Sequence, residues 1–344
     1  MAVGKEKMTN QRKSNMKKAT IMTMAALALL ACGCGQKKAE APAEAANQAV
    51  VYMTRDISPE SLVKIYEALG VKASGKVAVK ISTGENGNPN YLKPELIGQL
   101  VEKVNGRLVE CNTAYAGKRT TFEEHKAVIE DHGFNTIGGV DLMDEDGEMQ
   151  IPVADTQHIK YDIVGSHLAD YDFMINLAHF KGHPMGGLGG VLKNASIGVA
   201  SSNGKAYIHT AGRQQVVEGL WSNVDDQDGF LESMAAAAQA VHNYFKQPGK
   251  DVVYIAVMNN MSVDCDCSAS PSEVVLKDYG ILASTDPVAL DKACVDIIFN
   301  MQPSEGNDNA PLVERINSRH GLLTIERAEA IGLGTTNYRV VSID

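Results

Sequence analysis

Short apolar runs alternate along this chain with longer amphipathic ones. KVAVKIS (76–82), RLVEC (107–111), FMINL (173–177), VVYIAVM (252–258) and GILA (280–283) have strand length, and most are rich in Val, Ile or Tyr. Between and after them, 58–69, 94–104, 121–132, 231–245, 287–299 and 311–319 carry apolar residues at helical spacing. The boundaries agree with the periods. Ser58-Pro59-Glu60 opens the first helix and Gly70 ends it, while Thr121-x-x-Glu124 makes a capping box with Gly133 as a stop. A closing strand is expected at 338–343. Strands alternating with helices predict an α/β fold: a largely parallel sheet flanked by helices, as one large domain or two closely packed lobes.

In an open α/β sheet, ligands bind beyond the carboxyl ends of the strands. The segments after the five runs are TGENGNPN (83–90), NTAYAGKR (112–119), HFKGHPMGGLGGVLKNASIG (179–198), NNMSVDCDC (259–267) and STDP (284–287). Polar residues are ordinary in loops, but His, Cys and Lys gathering at strand ends are not. These segments are expected to open onto one cleft, locally positive from Lys118, Arg119, Lys181 and Lys193.

The third segment is its centre. Gly186, Gly187, Gly189 and Gly190 let backbone amides approach a ligand closely. A helix starting near Gly189 or Gly190 turns its N-terminus toward an anion. His179, His183 and Lys193 are the candidate catalytic groups, the histidines as metal ligands or as acid–base groups. Their i, i+4 spacing shares a face only in a helix, which Pro184 and the glycines oppose. Lys181, Asn194, Asn112, Lys118, Arg119 and His209 are candidate ligand contacts. Asp286 is either another or the N-cap of 287–299, and Asp291 lies one turn on. Trp221, the only tryptophan, reads as packing, and 201–205 as a turn or a lid. No GxxxxGK[ST], GxSxG or HExxH occurs.

Cys111, Cys265 and Cys267 fall at the same strand ends. Three readings stay open: a disulfide from Cys111 to one of the pair, a metal or cluster corner shared with His179 and His183, or free thiols. Cys294, among Ala293, Val295 and Ile298, reads as core.

The amino-terminal part changes how these thiols are read. Lys17 and Lys18 precede an apolar run, 19–30, too short to span a bilayer, and Leu29-Leu30-Ala31-Cys32 reads as a lipobox. Residues 1–32 are therefore expected to be a lipoprotein signal peptide with Cys32 lipidated, Met16 being an alternative start. Residues 33–49, rich in Lys, Glu, Ala, Pro and Gln, read as a tether, and 50–344 as the folded domain. The expected location is the bacterial cell envelope, with the lipid as the only membrane contact. The segment before Cys32 holds six of the 32 basic residues and one of the 42 acidic ones, so the rest carries −15. That charge argues against nucleic acid and leaves a small anion or a metal as partner. No oligomeric state follows.

With these residues in place, the chain resembles the domain-of-unknown-function family 362, often labelled uncharacterised iron–sulfur centre protein. ECNTAYAGKRTT (110–121), NLAHFKGHPMGGLGGVLKN (176–194), DCDC (264–267) and DYGILASTDPVALD (278–291) carry the resemblance over most of the domain. It implies an α/β fold and an activity not yet assigned. Many members add a four-cysteine ferredoxin segment; no C-x-x-C pair occurs in this sequence to match an iron–sulfur cluster. Residues 179–193 alone are also similar to the nickel-pincer lactate racemase family, which pairs histidines with a Gly-Gly-x-x-Lys stretch. The function expected is a metal-assisted enzyme on a small anionic substrate, using a divalent cation. The alternatives are a protein that binds a metal or redox centre without catalysis, and a solute-binding lipoprotein.

Overall fold

The apolar runs fold as strands and the amphipathic stretches as helices in the computed structural model, which describes residues 48–344. Residues 1–47, with the expected signal peptide, Cys32 and most of the expected tether (33–49), lie outside the described residues; Ala49, expected in the tether, already belongs to the first strand. In chain order the elements are β1 (Ala49–Thr54), α1 (Pro59–Ala68), β2 (Val77–Lys80), α2 (Pro94–Lys103), β3 (Gly106–Glu110), α3 (Phe122–Asp131), β4 (Val140–Leu142), β5 (Glu148–Pro152), β6 (Tyr161–Gly165) and β7 (Phe173–His179). There follow β8 (Lys181–His183), β9 (Gly187–Gly189), α4 (Val191–Ala195), α5 (Ser202–His209), α6 (Gln227–Tyr244), β10 (Asp251–Met258), β11 (Gly280–Ser284), α7 (Pro287–Asn300), α8 (Ala310–Ser318), α9 (Leu323–Ala330) and β12 (Tyr338–Ser342). The caps are those the sequence spelled: Ser58 and Thr121 accept from Ser61 N and Glu124 N, and Asp286 accepts from Val288 N and Ala289 N.

Eight strands form one sheet in the order β12-β1-β11-β10-β7-β2-β3-β4. Five of its seven pairings are parallel, and both antiparallel ones involve β11. That single reversed strand corrects one expectation. The segment 284–287 leaves the sheet from the edge opposite to the other four, so Asp286 and its loop do not join the cleft.

Side chains alternate between two cores. Val77, Val79 and Ile81 of the β2 segment, with Val253, Ile255 and Val257 of β10, face α1, α2 and α3. Ala78, Val252, Tyr254 and Ala256 face the helices from α4 to α9. Both faces being covered, the strands lack any polar alternation. Lys80 follows Ala78 on the second face, at the last position of β2. It therefore points where the parallel strands end.

Candidate functional site

Four of the five loops meet at that edge: three line a cavity there, and the fourth, 83–90, stands behind them with Glu85 on Arg119 and Asp266 O. Ser82, the 111–119 loop, residues 178–198 and the Cys265–Cys267 turn line one cavity of about 60 Å³. Lys80, Arg119, Lys181, Lys193 and Lys205 all line it. All except Lys193 are buried.

Two of these five cations are neutralised by neighbours. Arg119 Nη1 lies 3.0 Å from Glu110 Oε1 and its Nε 3.4 Å from Glu85 Oε2. Burial alone would raise the Glu110 carboxyl, but Arg119, His125 and Lys80 outweigh it and hold the group far below the usual range. Lys181 Nζ lies 3.0 Å from Asp266 Oδ1. Lys80, Lys193 and Lys205 have no carboxylate within ion-pair distance among the described residues. Lys80 Nζ donates to Ile81 O and, at 3.1 Å, to Asn194 Oδ1. Lys205 Nζ donates to Ala200 O at 2.6 Å. Burial pushes Lys80 down to about 8 and lowers Lys205 as well. A buried cation without a counter-ion is costly, so Lys80 and Lys205, with the half-buried Lys193 on the same cavity, call for an anion.

A sulfur corner closes the cavity on one side. His183, Cys265 and Cys267 each bring a ligand atom within 4.8 Å of the others. Two thiols and an imidazole form a donor set for a soft divalent cation, with a fourth position left for substrate or water. The hydrogen bond from Cys265 is the largest influence holding the Cys267 thiol well below its ordinary value; His183 and Lys193 add to it, and Cys265 is raised in exchange. Cys267 Sγ lies 3.9 Å from His183 Nε2. His183 Nδ1 accepts from Gly186 N at 2.8 Å and Met185 N at 3.2 Å. Burial pushes this ring down to about 4, so it is neutral with its proton on Nε2, toward the sulfur. A metal-bound histidine ordinarily donates from its second nitrogen; here that nitrogen accepts.

The remaining candidates are placed as follows. His179 is not among the metal donors: its Nδ1 faces Asp266 Oδ2 at 3.2 Å and its Nε2 faces Asn259 O at 2.6 Å, leaving no nitrogen free. Cys111 lines the cavity, yet its thiol donates to Val199 O at 3.3 Å and stands apart from the sulfur corner. Burial raises it strongly. Cys111, Cys265, Cys267 and Cys294 are all free thiols, which removes the disulfide reading. Asn194 and Gly189 and Gly190 line the cavity, as expected. Gly190 is obligatory, because a Cβ there would enter the Asp291 carboxylate. Asp291 accepts from Val191 N at 2.8 Å and Leu192 N at 2.9 Å, so the start of α4 is already capped by the protein's own carboxylate. Gly186 and Gly187 pack away from the cavity, Gly187 against Gly321 and Ile316. Lys118 is exposed and pairs with Glu124, and its backbone N donates to Glu85 Oε1. Asn112 is structural: its N donates to Asp144 and its Oδ1 meets His125 Nδ1 at 2.8 Å. His209 faces a second, outer cavity, as does Trp221, which is 55% exposed and not packed in the core.

Lys80 and Lys205 escaped the sequence reading. A lysine inside KVAVKIS was the available signal, since a strand covered on both faces has no solvent side to send it to. Lys205 lies on α5, whose start is capped by Ser201 where a turn or lid was expected.

A family model described as "Domain of unknown function (DUF362)" matches residues 77–296. No curated protein matches the chain significantly by sequence. Among solved structures, a protein from Thermotoga maritima shares 14% identity at a TM-score of 0.34, over 58% of this chain and 50% of that one. The lactate racemase apoprotein from Thermoanaerobacterium thermosaccharolyticum shares 16% at 0.35, over 63% and 52%. The chain thus spans about half the length of each. The matched segment runs from the start of β2 into α7 and takes in every cavity-lining residue, so this chain belongs to the DUF362 family.

Proposed function

We propose that this chain is an enzyme acting on a small anionic substrate, assisted by a divalent metal. The observation that carries the anion is the trio Lys80, Lys193 and Lys205, buried or half-buried around one cavity without carboxylate partners. Cys265, Cys267 and His183 are the residues that would hold the cation, His183 only once its proton has moved off Nε2. When bound, such a cation polarises an oxygen of the substrate or lowers the pKa of a bound water. Lys193 supplies a half-buried charge beside the sulfur corner, and Asn194 and Gly189 orient the anion from the cavity wall. Arg119 stays fixed by its two carboxylates and shapes the field without having to release them.

A second reading is favoured by the His183 ring alone. Its Nδ1 accepts two backbone N–H groups, so Nε2–H supports a Cys267 thiolate that acts without metal, as a nucleophile or base. We also propose that the chain is tethered to the cell envelope through Cys32.

Anaerobically purified protein titrated with Co²⁺ separates the readings. One equivalent bound with thiolate-to-cobalt absorption, lost in Cys267→Ser and His183→Ala, supports the metal. A rise in Tm with inorganic phosphate or acetate, lost in Lys193→Ala, supports the anion site. Anion binding without cobalt uptake overturns the metal and leaves the thiolate. No anion binding overturns the enzyme reading itself.

A further inference from the structure

The anion cavity is small. At ~10–15 Å³ per water-sized occupant, 60 Å³ holds about four to six heavy atoms, a carboxylate or phosphate group and little more. Beside it lies a second cavity of about 340 Å³. Tyr115 and Cys267 line both, so the two share a wall at the sulfur corner.

Their linings differ in kind. The outer cavity has no Lys, Arg, Asp or Glu; Tyr115, Pro184, Met185, His209 and Trp221 face it. Its rings are ordered from the core outward. His209 stacks on Phe230 at 4.5 Å, Tyr115 meets His209 edge-on at 5.4 Å, and Trp221 lies 6.0 Å from Tyr115. His209 Nδ1 donates to Lys205 O at 2.7 Å, which makes Nε2 the acceptor for the Tyr115 hydroxyl at 3.3 Å. The polar atoms of His209 and Tyr115 are thereby satisfied; His209 is buried against Phe230, and the partly exposed Tyr115 ring is left for apolar contact. Trp221 ends the series with 55% of its surface exposed, next in the chain to Leu220, which packs with Tyr115, Val217 and Val224 in a small apolar cluster. A large aromatic held half in water at the mouth of an apolar cavity lacks a covering partner.

Building on the anion reading above, we propose that the substrate is an amphipathic anion: a carboxylate or phosphate head among the inner lysines, and a planar apolar body against Trp221, Tyr115 and Met185 in the outer cavity. The sulfur of Cys267 then lies at the junction of head and body, which is where chemistry would be directed.

Because Trp221 is the only tryptophan, its fluorescence reports the outer cavity alone. Two probe pairs test the idea: inorganic phosphate against phenyl phosphate, and acetate against phenylacetate. In at least one pair, the phenyl probe is expected to bind tenfold or more tighter by calorimetry and to change Trp221 emission, while its bare head does not. Trp221→Ala should bring the phenyl probe's affinity down to that of the bare head and leave the head's own affinity unchanged. Lys193→Ala should weaken both members of the pair. Equal affinities within each pair, or a phenyl advantage that survives Trp221→Ala, overturn the outer subsite and leave the anion site standing. If no probe binds at all, the anion reading falls and this one falls with it.

Discussion

Lys80→Met should reveal the cost of keeping an anion site ready. The Lys80 side chain is fully buried, with its charge facing Ile81 O and Asn194 Oδ1 and no carboxylate in contact. Burial lowers its pKa from 10.5 to about 8. The folded state therefore binds the lysine proton less tightly than the unfolded chain does. Below pH 8 the lysine is charged in both states, and the folded protein bears the whole desolvation cost, about 3 kcal/mol at 1.36 kcal/mol per pH unit. Between pH 8 and 10.5 the unfolded chain holds more protons, so wild-type stability rises relative to the methionine variant. Methionine also forfeits two hydrogen bonds, worth roughly 0.5–1.5 kcal/mol each. That loss does not depend on pH, so the slope isolates the charge. Urea unfolding followed by far-UV circular dichroism, in buffers without phosphate or carboxylate, supplies the assay. At about 3 kcal/mol per M urea, the wild-type midpoint should gain about 1 M on the variant between pH 7 and pH 10.5. A difference that stays flat over that range would refute the reasoning, because Lys80 would then not be an uncompensated cation.

Two other outcomes are expected. Asp162 is fully buried with neither carboxylate oxygen partnered, and burial pushes its pKa up to about 7. Wild type should lose about 3 kcal/mol as the pH rises from 4 to 7, since the folded state holds the extra proton; in Asp162→Asn that fall should be absent from chemical denaturation measured across the window. Cys32→Ser should release a soluble, folded protein in cell fractionation, because the lipid is the proposed anchor; a variant that stays with the membrane would sink the tether.

The sheet was legible because a strand covered on both faces has to be apolar throughout, and VVYIAVM and FMINL admit few other readings. Direction was not. An apolar run reads the same whichever way it enters the sheet, so GILA gave no sign that β11 would be reversed, and Asp286 was carried to the wrong edge with it. Asp286's other reading, the N-cap, lay in the Asp-Pro pair and is met. The glycine-rich stretch advertised a ligand loop. Much of its glycine instead answers crowding: a Cβ at Gly182 would enter Val263 O, and one at Gly190 would enter Asp291. No local pattern encodes those partners, which lie 81 and 101 residues away in the chain. Lys80 was hidden for the opposite reason. Its period placed it correctly in a buried strand, and only the end of that strand makes it a cavity residue.

The reversal of β11 has a consequence for how this fold can change over evolutionary time. β10 ends, and β11 begins, at the same edge of the sheet and side by side. The chain between them, 259–279, is an excursion that departs and returns at adjacent strands, laced across by Val263 N to Glu273 O and Val275 N to Met261 O and bridged at Ser262 and Val274. Residues can be gained, lost or exchanged at its exposed tip, 269–271, without shifting the register of any strand. Cys265 and Cys267 sit on its inner part, fixed by Asp266 against His179 and Lys181, while Lys80, Lys193 and Lys205 come from β2, α4 and α5, whose positions the cores dictate. The lysine cradle and the sulfur turn are thus both heritable scaffold, and only the tip beyond them is an interchangeable cartridge. Relatives should vary first in the length and composition of that tip, while still gripping an anion in the same place.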